Sequence, residues 1–175
     1  MDYVEALLEL APPTDVPATS LTPLDFVEVE IKLQTTIPKD YQRILEAYRS
    51  GAFDKYLWLF SPFSKNQNVN LFEHLAIENE LLEESFETEL CDIVLWPAPE
   101  GLIPWAGTVN GDRIYWRTIN HKTQVLVRET RSLNFQIFPL SISEFLVNAL
   151  IEKIDVNCFP CDLPEDPFFQ YESYD

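Results

Sequence analysis

Two carboxyl groups beside a tryptophan are the best candidates for catalysis in this sequence. Glu100 and Asp112 flank Trp105 in a stretch rich in aromatic residues. A carboxyl group packed against an apolar ring has a raised pKa, as the general acid of a glycosidase does, and a second carboxylate acts as nucleophile or base. The structural interpretation is stronger, because Asp112 follows Asn-Gly as an ordinary turn residue and Glu100 precedes Gly101 in a loop. We therefore expect no enzymatic activity.

Metal, redox and phosphate chemistry lack the residues that they need. The two histidines, His74 and His121, lie far apart in sequence, so we expect no metal site. Cys158 and Cys161 have CxxC spacing, but no second pair exists for a zinc site. Reduced thiols are expected, with a conditional disulfide across that pair as the alternative. The glycine motifs of phosphate sites and the GxSxG elbow do not occur, and we expect no cofactor.

The chain is strongly acidic, with 29 Asp and Glu against 12 Lys and Arg and a net charge of −17. This charge argues against binding nucleic acid or an anionic membrane through a basic patch. From Asn66 through Asp112 there are ten acidic residues and no Lys or Arg. One region should therefore project a negative field that speeds association with a basic partner. The alternative is that the acids only keep the surface soluble.

The element that must position these residues is centred on Leu95–Thr118. Three of the four tryptophans and three of the four glycines fall in these 24 residues. Asn110-Gly111 lies between the apolar runs Trp105–Val109 and Ile114–Trp116, and this dipeptide predicts a hairpin with a type I′ turn. The tryptophans could stack on sugars, but at strand spacing they are more typical of a core.

The first quarter of the chain predicts two helices. Residues 1–20 begin with a short apolar-periodic piece and continue into a Pro-rich linker. Thr22 and Pro23 form a helix start, although residues 27–33 also alternate at period two, as a strand would. We predict a helix here. Its apolar spacing rests on Leu24, Val27 and Ile31.

Three further helices and six strands complete the prediction. A helix opens at Ile37-Pro38 and closes at Gly51, and residues 71–86 form a long acidic amphipathic helix. Ser141 starts the last helix with a capping box, and a second hairpin turn falls at Asn120-His121-Lys122. The predicted strands are Tyr56–Phe60, Asp92–Trp96, Trp105–Val109, Arg113–Thr118, Gln124–Glu129 and Leu133–Phe138. The sequence thus predicts a single α+β domain, an antiparallel sheet of about five or six strands with helices packed against it.

Three motifs occur in the order in which a known family has them. The first is Ile37-Pro38-Lys39-Asp40-Tyr41, followed by a helix and a glycine. The second is Ile103–Thr108 with the Asn-Gly-Asp turn and Tyr115-Trp116 after it, and the third is Phe138–Leu146. Together they resemble the SUKH superfamily, which is named partly after the yeast Smi/Knr regulators of cell-wall assembly. The similar region runs from about residue 21 to residue 154, about three quarters of the chain.

The resemblance implies a fold and a function. The α+β domain would span residues 21–154, after an N-terminal helix and linker in residues 1–20 and before an acidic aromatic tail in residues 155–175. Bacterial members of the family are largely immunity proteins without a catalytic site, which bind and neutralise toxins, often nucleases. We therefore expect a non-catalytic immunity protein. A regulatory interaction domain of the cell-wall type is the alternative, and a carbohydrate-active enzyme using Glu100 and Asp112 is a remote one.

The acidic charge indicates how such a protein would bind. A toxin that acts on nucleic acid presents a basic cleft, which an acidic inhibitor could fill with complementary potential. The expected partner is a basic protein, and neither nucleic acid nor a membrane. No apolar run reaches the roughly 18 residues of a membrane helix, and the N-terminus is acidic, so we expect a cytoplasmic location. The predicted contact residues are Glu80, Glu83, Glu84, Glu87, Glu100 and Asp112, with Trp105 as an anchor if it is exposed.

Overall fold

A computed structural model defines the fold and describes residues 1–15, 20–86, 93–130, 132–160 and 166–172. Within these ranges there are five α-helices and seven strands. The helices are α1 (Tyr3–Leu10), α2 (Pro23–Leu33), α3 (Lys39–Tyr48), α4 (Leu71–Phe86) and α5 (Ile142–Leu150). The strands are β1 (Gly51–Phe53), β2 (Leu57–Leu59), β3 (Ile103–Thr108), β4 (Arg113–Ile119), β5 (Lys122–Arg128), β6 (Phe135–Phe138) and β7 (Phe169–Tyr171).

The strands form one antiparallel sheet in the order β6-β5-β4-β3-β2-β1-β7. Side chains alternate between the two faces of a strand, and β4 shows this directly. Ile114 and Trp116 join the main core, whereas Tyr115 points to a second apolar cluster on the opposite face. The predicted α+β class is confirmed, and the sheet has seven strands instead of five or six.

The main core takes side chains from the sheet and from all five helices, and α1, α3 and α5 pack against one another over it. The apolar face predicted for α3 is confirmed, because its four periodic positions are all buried. Phe145 of α5 meets the ring of Trp105 edge-on, with the ring centres 6.2 Å apart. The four buried periodic positions of α3 are Tyr41, Ile44, Leu45 and Tyr48.

Helix α4 covers part of the opposite face and matches its predicted bounds. Its Leu82 packs with Tyr115, Leu126 and Leu102 in the second cluster. Because both faces of the central strands are covered, their sequence is apolar at consecutive positions instead of strictly alternating.

Helix α2 begins as predicted but buries a different face. Thr22 caps it in a capping box with Asp25, and the strand interpretation of this segment is wrong. Phe26, Val29 and Leu33 face inward. The three residues on which the spacing was based, Leu24, Val27 and Ile31, are exposed.

The predicted hairpin between β3 and β4 exists, but its turn differs from the prediction. Gly111 has a positive φ of 92°, and Asn110 does not. The Gly111 N–H donates to the carbonyl of Thr108, and the Thr108 N–H donates to the carbonyl of Asp112, which closes a three-residue loop. Positive φ at two consecutive residues occurs at the other predicted turn, in Asn120 and His121.

Two other local predictions are wrong. Gly51 does not end α3, because Arg49 takes the positive φ there and Gly51 begins β1. A side chain at Gly51 would collide with the backbone of β7. The strand predicted at 92–96 includes Asp92, which lies outside the described residues, and the described part makes only an isolated bridge between Leu95 and Leu102.

The ends of the chain pack on the central domain. Helix α1 lies against α5, and Arg43 of α3 pairs with Asp2 and Glu5. In the tail, β7 pairs with β1, and the Phe169 ring packs between Tyr48 and Phe53. Among the described residues, no helix is both long and apolar enough to cross a membrane.

Candidate functional site

The outward face of α4 combines exposed acids with exposed apolar side chains. Glu73, Ile77, Glu80, Leu81 and Glu84 lie three or four residues apart, so they share one side of the helix. Ile77 is 55% exposed and Leu81 is 39% exposed. The three glutamates are exposed around this apolar pair. We call these five residues the α4 face.

The opposite side of α4 fixes the helix to the sheet. Leu71 and Leu75 belong to the main core, and Leu82 belongs to the second cluster. Asn70 caps the helix, because its side-chain oxygen accepts hydrogen bonds from the N–H groups of Phe72 and Glu73. The α4 face is therefore presented by a helix whose position is set along its length.

A buried charge cluster lies beneath the helix. Glu78 accepts hydrogen bonds from the Arg128 guanidinium and the Tyr115 hydroxyl on one carboxylate oxygen. Its other oxygen lies 3.1 Å from the Nε of Arg113, an ion pair at an angle that makes no hydrogen bond. Burial and the neighbouring carboxylate raise the pKa of Tyr115, so the phenol stays protonated and donates. The cluster ties α4 to β4 and β5.

The two arginines nearest to α4 on the sheet are engaged by Glu78 beneath the helix. Arg113 and Arg128 lie opposite each other on β4 and β5, and both are turned to Glu78 under the helix. No Lys or Arg occurs within α4 itself. The exposed glutamates therefore have no cation on their own helix, and like charges at this spacing cost a few tenths of a kcal/mol per pair.

The structure places the predicted contact residues in different environments. Glu80, Glu83 and Glu84 are exposed on α4. Glu87 lies outside the described residues. Glu100 is exposed on the loop before β3 and has a positive φ of 65°.

Trp105 and Asp112 are not available as contact residues for a partner, contrary to the prediction, because both are buried. Trp105 is 0% exposed and packs against Tyr41 and Phe145 on the core face of the sheet. The Asp112 carboxylate accepts hydrogen bonds from the hydroxyl and the backbone N–H of Thr130 and from the hydroxyl of Thr108. Asp112 therefore holds the hairpin loop together and offers no free carboxylate to a partner.

The geometry also separates the two carboxyl groups considered for glycoside hydrolysis. Glu100 precedes β3 and Asp112 follows it, so the six residues Ile103–Thr108 lie between them. At about 3.3 Å per residue this strand extends for about 17 Å, whereas the paired carboxyl groups of glycosidases are about 5–10 Å apart. The two acids do not form such a pair.

Three important residues of this region were not found from the sequence. Ile77 and Leu81 are four residues apart and lie outside the apolar side of α4. This spacing was the sequence signal that could have predicted an exposed apolar pair. Glu78 gave no local signal, because its three partners lie 35 to 50 residues away along the chain.

The comparisons with known proteins add no relative. No protein family, no curated protein and no solved structure matches the chain.

Proposed function

We propose that this chain is a non-catalytic protein that binds and neutralises a basic partner, namely an immunity protein against a toxin that acts on nucleic acid. A cytoplasmic site of action belongs to the same proposal. The resemblance to the SUKH superfamily supports the class of function. The charge of −17 supports the chemistry of the partner.

The observation that carries the proposal is the α4 face. It joins two exposed apolar side chains, Ile77 and Leu81, to three exposed glutamates on one rigidly held helix. Apolar contacts at the centre of an interface supply most of the binding energy, and complementary charge around them speeds association and selects the partner. A basic surface with a small apolar depression would complement this face.

The first test is neutralisation in cells. The gene next to the one that encodes this chain is expressed alone and together with it, and survival is counted. Toxicity of the neighbour that the chain relieves is expected. A harmless neighbour, or toxicity that the chain leaves unchanged, would contradict the immunity proposal and favour the regulatory alternative.

The second test places the interface. Replacing Glu73, Glu80 and Glu84 by Lys should raise the Kd for the purified toxin about a hundredfold and weaken the salt dependence of binding. The matched control replaces Glu9, Glu28 and Glu46 by Lys, which are exposed on α1, α2 and α3. Equal loss in both triple variants would show that only net charge matters.

The apolar pair has its own control. Ile77→Ser should weaken binding about tenfold, because it removes apolar area from the centre of the face. Ile31→Ser changes an even more exposed isoleucine on α2 and should leave the Kd unchanged. The reverse pattern would move the interface to α2.

A further inference from the structure

A second candidate site lies beside α4, where the helix leaves part of the sheet uncovered. A cleft of about 460 Å³ opens there over β2, β3 and the start of β4. Trp58, Gly107 and Arg113 stand in one row across these strands. Because Gly107 has no side chain, the Phe60 ring and the Arg113 guanidinium can pack over it. The row therefore has an aromatic side at Trp58 and a guanidinium side at Arg113, with about 10 Å between the outer backbones.

Polar groups without negative charge form the rim. Asn66 and Asn68 lie in the segment before α4 and line the cleft together with His74. His74 stacks on Phe60 with the rings 3.7 Å apart, and its Nε2 donates to the Asn68 carbonyl. Burial lowers the pKa of His74, which keeps the ring neutral. Among the described residues, none that lines the cleft carries a carboxylate, although the chain has 29 acidic residues.

One residue of the buried charge cluster reaches the cleft. Glu78 carries one negative charge between the two guanidinium groups of Arg113 and Arg128, so the three side chains together carry a formal charge of +1. Arg113 is the member of this cluster that lines the cleft, and its side chain is 18% exposed. One terminal nitrogen of Arg113 donates to the carbonyls of Gly111 and Asp112, so an anion at this end would share the guanidinium with these groups and with Glu78.

We propose that the cleft binds a small planar anion, that is an aromatic or heteroaromatic ring carrying a phosphate or a carboxylate. The ring stacks on Trp58, as bases and aromatic ligands do on exposed aromatic side chains. The amides of Asn66 and Asn68 bond the polar edge of the ring, and Arg113 receives the anionic group. The volume lies within the range of small-molecule sites.

The test uses nuclear magnetic resonance of the ¹⁵N-labelled full chain without a partner protein, so its outcome is independent of toxin binding. The indole signal of Trp58 is assigned with a Trp58→Phe variant. 4-Nitrophenyl phosphate and 4-nitrobenzoate, which carry the same ring, are titrated separately, and saturable shifts of the Trp58 indole and the Asn68 amide with a Kd of about 1 mM or lower are expected for one of them. The probe that binds distinguishes phosphate from carboxylate. No shift with either probe at about 10 mM would overturn the proposal.

A charge variant separates specific binding from a general effect. Asn68→Asp keeps the shape of an exposed side chain but adds a carboxylate to the cleft, and should weaken binding about tenfold. Asn134→Asp adds the same charge at an exposed position near β6 and should leave the Kd unchanged. Equal affinities of Asn68→Asp and the unmodified protein would overturn the assignment.

Discussion

Glu78 on α4 and Arg128 on β5 form an ion pair from which solvent is almost excluded, with side chains 5% and 4% exposed. The two residues are 50 positions apart in the sequence. Their contact joins the helix that carries the α4 face to β5, the strand next to the sheet edge formed by β6. A buried pair of this kind adds little stability over an apolar pair, but it is costly to break from one side.

Glu78→Gln should therefore destabilise the fold strongly. The substitution leaves the guanidinium groups of Arg128 and Arg113 without their carboxylate, and the expected loss is about 3 to 5 kcal/mol in the free energy of unfolding. Urea denaturation measures it. Glu80→Gln, an exposed change on the same helix, is the control and should stay within about 0.5 kcal/mol. Equal effects of the two variants would contradict the role given to the buried cluster.

The tail strand should contribute to stability through one ring. Phe169 is 3% exposed and packs against Tyr48 and Phe53, whereas its neighbour Phe168 is 40% exposed. Phe169→Ala should cost about 3 to 5 kcal/mol, and Phe168→Ala much less. Thermal denaturation of both variants provides the comparison. A similar melting temperature for the two would mean that β7 is not part of the cooperative unit.

His74 should make stability depend on pH. Burial, with a further contribution from Arg113, lowers the pKa of its imidazole below the ordinary value of about 6.5. In the unfolded chain His74 has the higher pKa and binds a proton more readily. The contribution of neutral His74 to the free energy of unfolding is therefore complete above the unfolded pKa and is lost as the pH falls through the folded pKa. Relative to His74→Phe, which keeps a ring on Phe60, the unmodified protein should lose stability from pH 7.5 to 5. The free energy of unfolding of each protein is measured by urea denaturation at several pH values. Equal changes in the two proteins over this range would contradict the expectation.

Cys158 should react slowly with alkylating reagents. Burial, assisted by the negative charges of Asp112 and Glu129, raises the pKa of its thiol to about 12, and the thiolate is the reactive form. In a Cys91→Ser, Cys161→Ser variant, iodoacetamide at pH 8 should modify Cys158 much more slowly in the folded than in the urea-unfolded protein. Mass spectrometry measures both rates. Equal rates would show that the thiol is open to solvent.

The sequence by itself determined the elements whose signals are local. Thr22 and Ser141 marked two helix starts because a capping side chain bonds backbone groups only a few residues away. The periodic positions of α3 and the length of α4 followed from apolar spacing, and the α+β class followed from the order of the elements. The acidic character of α4 was also readable, since charge depends on composition and not on packing.

Tertiary structure decided which of several equivalent faces is buried. Helix α2 has two apolar stripes at helical spacing, and tertiary contacts such as that of Phe26 with Phe63 select the one that faces inward. Strand alternation could not tell that Trp105 points into the core, because both faces of β3 are covered. The burial of Glu78 depends on arginines from two distant strands. The close backbone approach that leaves no room for a side chain at Gly51 is made by β7, a strand near the other end of the chain. These features arise from contacts between residues far apart in sequence, for which local propensity and periodicity carry no signal.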